Sequence, residues 1–185
     1  VVVIWDGGVV AKKPMYAGKI VADLRVTASP AIVSLRPNVI AVARDASPAW
    51  PPSDGTWRLA CVARLDPKAK GQDVLFQVLQ MPKWRERPVH VSLFGDGPNR
   101  RGLERLARDL ALDTVRFAGF EPEVARIWAA HHALVLPSRY EGLPLALVEA
   151  MLCQRCCIVT DVAGNAELIA DNTDGFVAAA PTVAA

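Results

Sequence analysis

The sequence predicts an α/β protein, a doubly wound parallel (Rossmann-like) sheet of about six strands preceded by a short β-rich segment. Three observations carry that reading. Beyond residue 56, short apolar runs alternate with stretches whose apolar residues recur at helical spacing. The strand candidates read as continuous apolar runs, as strands do when helices cover both faces of a sheet. Polar and glycine-rich residues gather at the carboxyl ends of those runs, which is where open α/β sheets bind ligands.

Taken in order, WRLACVAR (57–64) is a strand and GQDVLFQVLQM (71–81) a helix. VHVSLFG (89–95) is followed by the amphipathic PNRRGLERLARDLAL (98–112), and VRFAG (115–119) by EPEVARIWAAH (121–131). HALVLPS (132–138) leads into the helix PLALVEAMLC (144–153), with Pro144 at the first helical position, where its missing N–H costs nothing. Leu145, Val148 and Leu152 then form the apolar stripe of that helix. CIVTDV (157–162), a helix over AELIAD (166–171) and GFVAA (175–179) close the series.

Residues 1–46 read differently. VVVIW, MYAGKIVADLRV and AIVSLRP suggest short strands with turns at Asp6-Gly7-Gly8 and Ser29-Pro30, too little to bury a core alone. ARDASPAWPPSDG (43–55) has no periodicity and three prolines. The expected layout is a β-rich piece at 1–46, a linker at 47–56 and an α/β domain at 57–185. The chain starts with Val, which suggests a fragment.

Bulk composition excludes more than it identifies. An apolar fraction of 52% with 22% charged residues describes an ordinary globular chain. A net charge of +2 argues against nucleic acid as a partner, and residues 47–185 carry fifteen Lys/Arg against sixteen Asp/Glu. Any anion bound there must be held by local geometry. No stretch is long and apolar enough for an integral membrane segment, and the opening residues lack the features of a signal peptide. Cys153, Cys156 and Cys157 crowd together, with Cys61 far off in sequence. This is poor material for disulfides and fits a reducing cytoplasm. The spacing Cys153-x-x-Cys156 has no second ligand pair elsewhere, so core packing is the better reading than zinc.

The strand ends carry the candidate site. Arg64 and Lys70 precede the first helix; a guanidinium fork and a mobile ammonium suit phosphate oxygens. Taken alone they read as solvated surface charges. Gly95 and Gly97 follow the second strand, either as a tight turn or as a ligand contact. Gly119 and Phe120 follow the third. Ser138, Glu141 and Gly142 follow the fourth, and the backbone of Gly142, Leu143, Pro144 and Leu145 offers a helix N-terminus able to hold an anion. Glu141 and Glu149 flank that anion site and would repel it unless each reaches past it to hydroxyl groups. The arrangement therefore suits a sugar–diphosphate–nucleoside. His90 reads as a core residue, and His131 and His132 as cations favoured at a helix C-terminus. None suggests a catalytic base or a metal site.

VARLDPKAKG, LFGDGPNRRGLERLA, VRFAGF, PSRYEGLPLALVEAM and IVTDVAGNAELI occur in the order and at the spacing of one family. Over residues 57–177 the chain resembles the C-terminal, donor-binding domain of retaining glycosyltransferases of family 4, one half of a GT-B fold. The resemblance implies a nucleotide-diphospho-sugar donor as substrate, no metal and no separate cofactor. It assigns Arg64 and Lys70 to the donor diphosphate, Glu141 to the transferred sugar and Glu149 to the ribose. The phosphates would also meet the backbone of residues 142–145, and the base would lie near Gly119 and Phe120. It implies as well that the N-terminal acceptor domain is missing, the acceptor undefined, and transfer by the chain alone inefficient. Residues 12–40 resemble a stretch of electron transfer flavoprotein alpha subunit, which suggests a junction of two unrelated pieces. An electron-transfer module and a non-catalytic interaction domain are the alternative functions.

Overall fold

The computed structural model of the protein describes residues 2–5, 8–15, 20–26, 48–142 and 144–183. The chain divides into two compact units, Val1–Ile40 and Ala41–Ala185.

In the first unit, β1 (Val2–Trp5), β2 (Gly8–Met15) and β3 (Ile20–Val26) form an antiparallel sheet in the order β1-β2-β3. Of these three strands the sequence signalled β1 and β3 and missed β2, whose lysines and proline dilute its pattern. Pro14 lies beyond residues 8–11 of β2, the part that pairs with β1, so among the described residues β2 has a partner strand at Pro14 only in β3. Gly8 opens β2. Asp6, Gly7, the Ser29-Pro30 turn and the AIVSLRP strand lie outside the described residues.

The second unit is a six-stranded, all-parallel sheet built from β4 (Trp57–Val62), β5 (Val89–Phe94), β6 (Val115–Gly119), β7 (Ala133–Leu136), β8 (Cys156–Thr160) and β9 (Gly175–Ala178). Its order, β6-β5-β4-β7-β8-β9, reverses direction between β4 and β7, the topological switch point of a doubly wound sheet. The connecting helices are α1 (Pro67–Lys70), α2 (Gln72–Gln80), α3 (Pro82–Arg85), α4 (Arg100–Asp109), α5 (Val124–Ala130) and α6 (Leu145–Leu152).

Alternation along the strands feeds two cores. Cys61, Val91 and Leu93 pack with Leu75 and Phe76 of α2 and Leu103 of α4. Ala60, Leu134, Leu136, Cys157 and Val159 pack with Ile127 and Trp128 of α5 and Leu147 and Ala150 of α6. Each fully buried side chain of the size of Phe76 or Leu134 contributes about 1.5–3 kcal/mol. Cys153 and Cys157 belong to the second core, and all four cysteines are free thiols.

Several local expectations are corrected. The helix expected over 166–171 is replaced by a 3-10 turn at Ala163–Asn165 and further turns. Side-chain bonds compete with the helix there: Ala170 N donates to Asp174 Oδ1 and Val177 N to Asp171 Oδ1. Pro144 is the residue before α6 rather than its first, and α6 buries Leu147 and Ala150 while Leu152 is exposed. His90 points outward from β5. His131 is buried, and that burial lowers its pKa, so it is neutral where a helix-end cation was expected; its Nδ1 bonds Ile127 O. His132 is also buried, and its Nδ1 accepts from Arg58 N.

The segment expected as a linker is partly held. The buried Arg155 guanidinium donates to the carbonyls of Trp128, His131 and Cys153, and also to those of Pro48 and Ala49. Its planar group stacks on Trp50, and Trp50 and Trp57 both meet the His132 ring edge-on.

Candidate functional site

The loops that follow β4, β5, β7 and β8 meet beyond the carboxyl edge of the sheet. After β4 the chain turns through Ala63 and Arg64, and Leu65 N bonds Asp96 O of the next loop. Gly95 sits at φ +117 with Ala63 O only 2.4 Å from where a Cβ would stand. Gly97 is as close to Leu65 O. The GDG turn therefore locks two loops together, which accounts for both glycines without a ligand.

α1 ends at Lys70 because Gly71 takes the left-handed conformation, and a Cβ there would lie 1.9 Å from Pro137 O. This contact sets the first loop directly against the end of β7. The result is a chain of polar contacts across the sheet edge. Lys70 Nζ donates to Glu141 Oε2 at 2.8 Å, and Ser138 Oγ donates to Glu141 Oε1 at 2.6 Å. Thr160 Oγ1, from the end of β8, donates to Ser138 O, and Asn165 Nδ2 donates to Thr160 O. Glu141 is only 6% exposed. A carboxylate so buried needs a cation and a donor to offset lost hydration, and it has both.

The other expected residues fall around this pair. Arg64 is exposed, and its carbonyl accepts from the buried Gln72 Nε2. Arg64, Gly95 and Phe120 line a pocket of about 260 Å³ with Asp96 and Glu121. Phe120 is 79% exposed, next to Gly119 at the end of β6. Gly142 is exposed, with its carbonyl against Gly164 of the loop after β8. Leu143 lies outside the described residues. Leu147 N and Val148 N make the first bonds of α6, both to Pro144 O, so the amides of Leu145 and Ala146 precede its internal ladder. Glu149 is half-buried in the second turn of α6, and burial raises its pKa; its carboxylate joins no hydrogen bond among the described residues.

Gln72 and Thr160 were missed by sequence reasoning. One is a polar residue opening a helix and the other a hydroxyl ending a strand, and neither pattern is distinctive. A larger groove, about 830 Å³, runs along the open face of β5 and β6 past Arg58, His90, Ser92 and Arg116, and of the expected site residues it meets Phe120. Among the described residues, no cluster of three or more His, Cys, Asp or Glu side chains could hold a metal ion, and no helix is long and apolar enough to cross a membrane.

Residues 56–185 match the family described as glycosyl transferases group 1. The chain belongs to this glycosyltransferase family. It is 38% identical over 97 residues to the alpha-D-kanosaminyltransferase of Streptomyces kanamyceticus, a match covering 50% of this chain and 25% of that protein. Among solved structures, Anabaena HepE in complex with UDP and glucose aligns with a TM-score of 0.62 at 26% identity, covering 70% of this chain and 36% of that one. The lipopolysaccharide outer core galactosyltransferase WaaB in its apo form aligns at 0.64 and 25%, covering 71% and 38%. The chain thus spans a quarter to two fifths of these relatives. Its six-stranded unit is the Rossmann-like half of a GT-B glycosyltransferase fold. The resemblance of residues 12–40 to a flavoprotein gains no support from these matches.

Proposed function

We propose that the second unit is the donor-binding domain of a retaining glycosyltransferase and takes a nucleotide-diphospho-sugar. The observation that carries this reading is the Lys70–Glu141–Ser138 cluster at the topological switch point, one loop from the N-terminus of α6, in a chain of this family. Lys70 and Arg64 would hold the diphosphate with the first amides of α6. Glu141 would accept hydroxyls of the transferred sugar, and Glu149 those of the ribose. The base would rest in the pocket at Arg64, Gly95 and Phe120. HepE, a solved relative, holds UDP and glucose, which supports the ligand class.

In this reading the cations stabilise charge on the departing diphosphate, whose oxygen takes the acceptor proton on the same face of the sugar. Lys70 must then share itself between Glu141 and phosphate, because one ammonium has three donors to distribute. The acceptor would be bound by a partner domain not among residues 57–185, and the free thiols suit the cytoplasm.

Calorimetric titration with UDP, GDP, ADP and a hexose conjugate of each, with FAD as control, tests this. The expected result is saturable binding of one nucleotide, lost in Lys70→Ala and weakened in Glu149→Ala. A folded protein that binds none of them overturns the donor-site reading and leaves the interaction-domain alternative; binding of FAD alone would favour the flavoprotein one.

A further inference from the structure

Arg139, in the loop after β7, reaches across to α2. Its Nη1 and Nη2 donate to Asp73 Oδ1 and Oδ2 at 2.6 and 2.8 Å, and Nη1 also donates to Pro67 O at 2.6 Å. The backbone repeats the connection, with Arg139 N and Tyr140 N both donating to Ala69 O at 2.9 and 3.0 Å. Every one of these bonds joins the segment that carries Glu141 to the segment that carries Lys70. Arg139 stands two residues before Glu141 and next to Ser138, while Ala69 immediately precedes Lys70 and Asp73 lies in the first turn of α2.

We infer that Arg139 and Asp73 are positioning residues, a two-point clamp that sets Lys70 against Glu141 and so shapes the donor site; the inference rests on the donor-binding reading above. The geometry suits that task better than it suits general stabilisation. Both side chains are about one-third exposed, and ion pairs so placed contribute little to folding. A guanidinium, however, fixes a carboxylate in angle as well as distance, and here it also fixes a carbonyl on α1. The pair is held in its charged form: burial pushes the Asp73 carboxyl up, but the hydrogen bonds and charge of Arg139, with the backbone amides of Asp73 and Val74, together outweigh this and keep it below its usual range. A lysine at 139 would keep the charge and lose the parallel bonds.

The test uses the full chain and begins without a ligand. Competitive acylation of the lysine amines, read by mass spectrometry, reports how well Glu141 shields Lys70, with the exposed Lys68 of the same helix as internal reference. Lys70 is expected to label severalfold faster in Asp73→Asn and Arg139→Ala, toward the rate in Glu141→Gln, with Arg139→Lys between. Lys68 and Tm should stay unchanged. Unchanged labelling at Lys70 overturns the inference, and so does a parallel rise at Lys68 with a fall in Tm, which would mean that α1 has simply unfolded. In the second stage, Arg139→Ala should raise the Kd of the nucleoside diphosphate that binds wild type about fivefold to tenfold, and add nothing in a Glu141→Gln background, where Lys70 is already released. An additive loss there overturns the action through Lys70. If labelling responds but wild type binds no nucleotide, the clamp on Lys70 stands and the donor reading fails.

Discussion

Lys70 Nζ and Glu141 Oε2, seventy-one residues apart in the chain, lie 2.8 Å from each other. The ammonium retains some access to water while the carboxylate has almost none, so the two partners are unequal. Removing the cation should cost more than removing both. Lys70→Met is expected to destabilise by about 2 kcal/mol, since it leaves a buried carboxylate with only Ser138 as donor. Thermal unfolding would register this as a Tm lower by about 4–8 °C. Lys70→Met/Glu141→Gln should recover most of the loss, and an additive double variant would contradict the pairing.

Two glycine substitutions should move stability in opposite directions. Gly71→Ala places a methyl 1.9 Å from Pro137 O in a left-handed conformation, and no side-chain rotation relieves a backbone clash. A loss of more than about 3 kcal/mol is expected. Gly102 lies in α4 with open space around it, and Gly102→Ala should stabilise by about 0.5–1 kcal/mol through helix propensity alone. Urea midpoints measure both.

Glu149 should trade stability against binding. Burial raises its pKa, so the neutral form is the one the fold prefers. The penalty is absent below the ordinary glutamate range and grows as pH rises from that range through the raised pKa. Because the group is half exposed, solvent limits that penalty to less than about 1 kcal/mol. Glu149→Gln should raise Tm by about 1–3 °C at neutral pH and leave it unchanged near pH 4. The same substitution should weaken nucleotide binding about tenfold by removing a charged acceptor.

The thiols should divide by environment. Burial pushes Cys61 and Cys157 up to about 12, so almost none of either is thiolate at mildly alkaline pH. A thiol-reactive probe on the native protein should reach the half-buried Cys156 first and these two last. All four should react rapidly in denaturant. Early reaction of Cys61 would mean that the core beneath α2 opens more readily than its packing suggests.

The parallel sheet was legible because β7 is buried along its whole length and no residue of β8 is exposed, which favours continuous apolar runs. Site residues at strand ends were legible by position. Partnership was not: Lys70 and Glu141 were assigned to different parts of a ligand, yet they bind each other, because a contact between residues 70 and 141 depends on Gly71 seating α1 against Pro137. The histidines failed for a related reason. His131 and His132 follow a short helix whose end is covered, so both are buried and the solvation that would keep His131 charged is absent. The helix expected at 166–171 failed because apolar spacing says nothing of Asp174, which captures the Ala170 amide, or of Asp171, which is drawn to the amide of Val177 in β9.

The Arg155 contacts to Pro48 and Ala49 bear on where the folding unit begins. Family similarity starts at residue 56, but two of the five carbonyls that satisfy this guanidinium lie before it, as does the indole that covers its face. A recombinant version trimmed to the similarity boundary would expose one face of a cation whose other donors stay committed to the α5–β8 region. The packing of the second unit therefore includes Pro48, Ala49 and Trp50. Sequence likeness marks the part of the domain shared with relatives, while the packed unit reaches back at least as far as the acceptors that Arg155 requires.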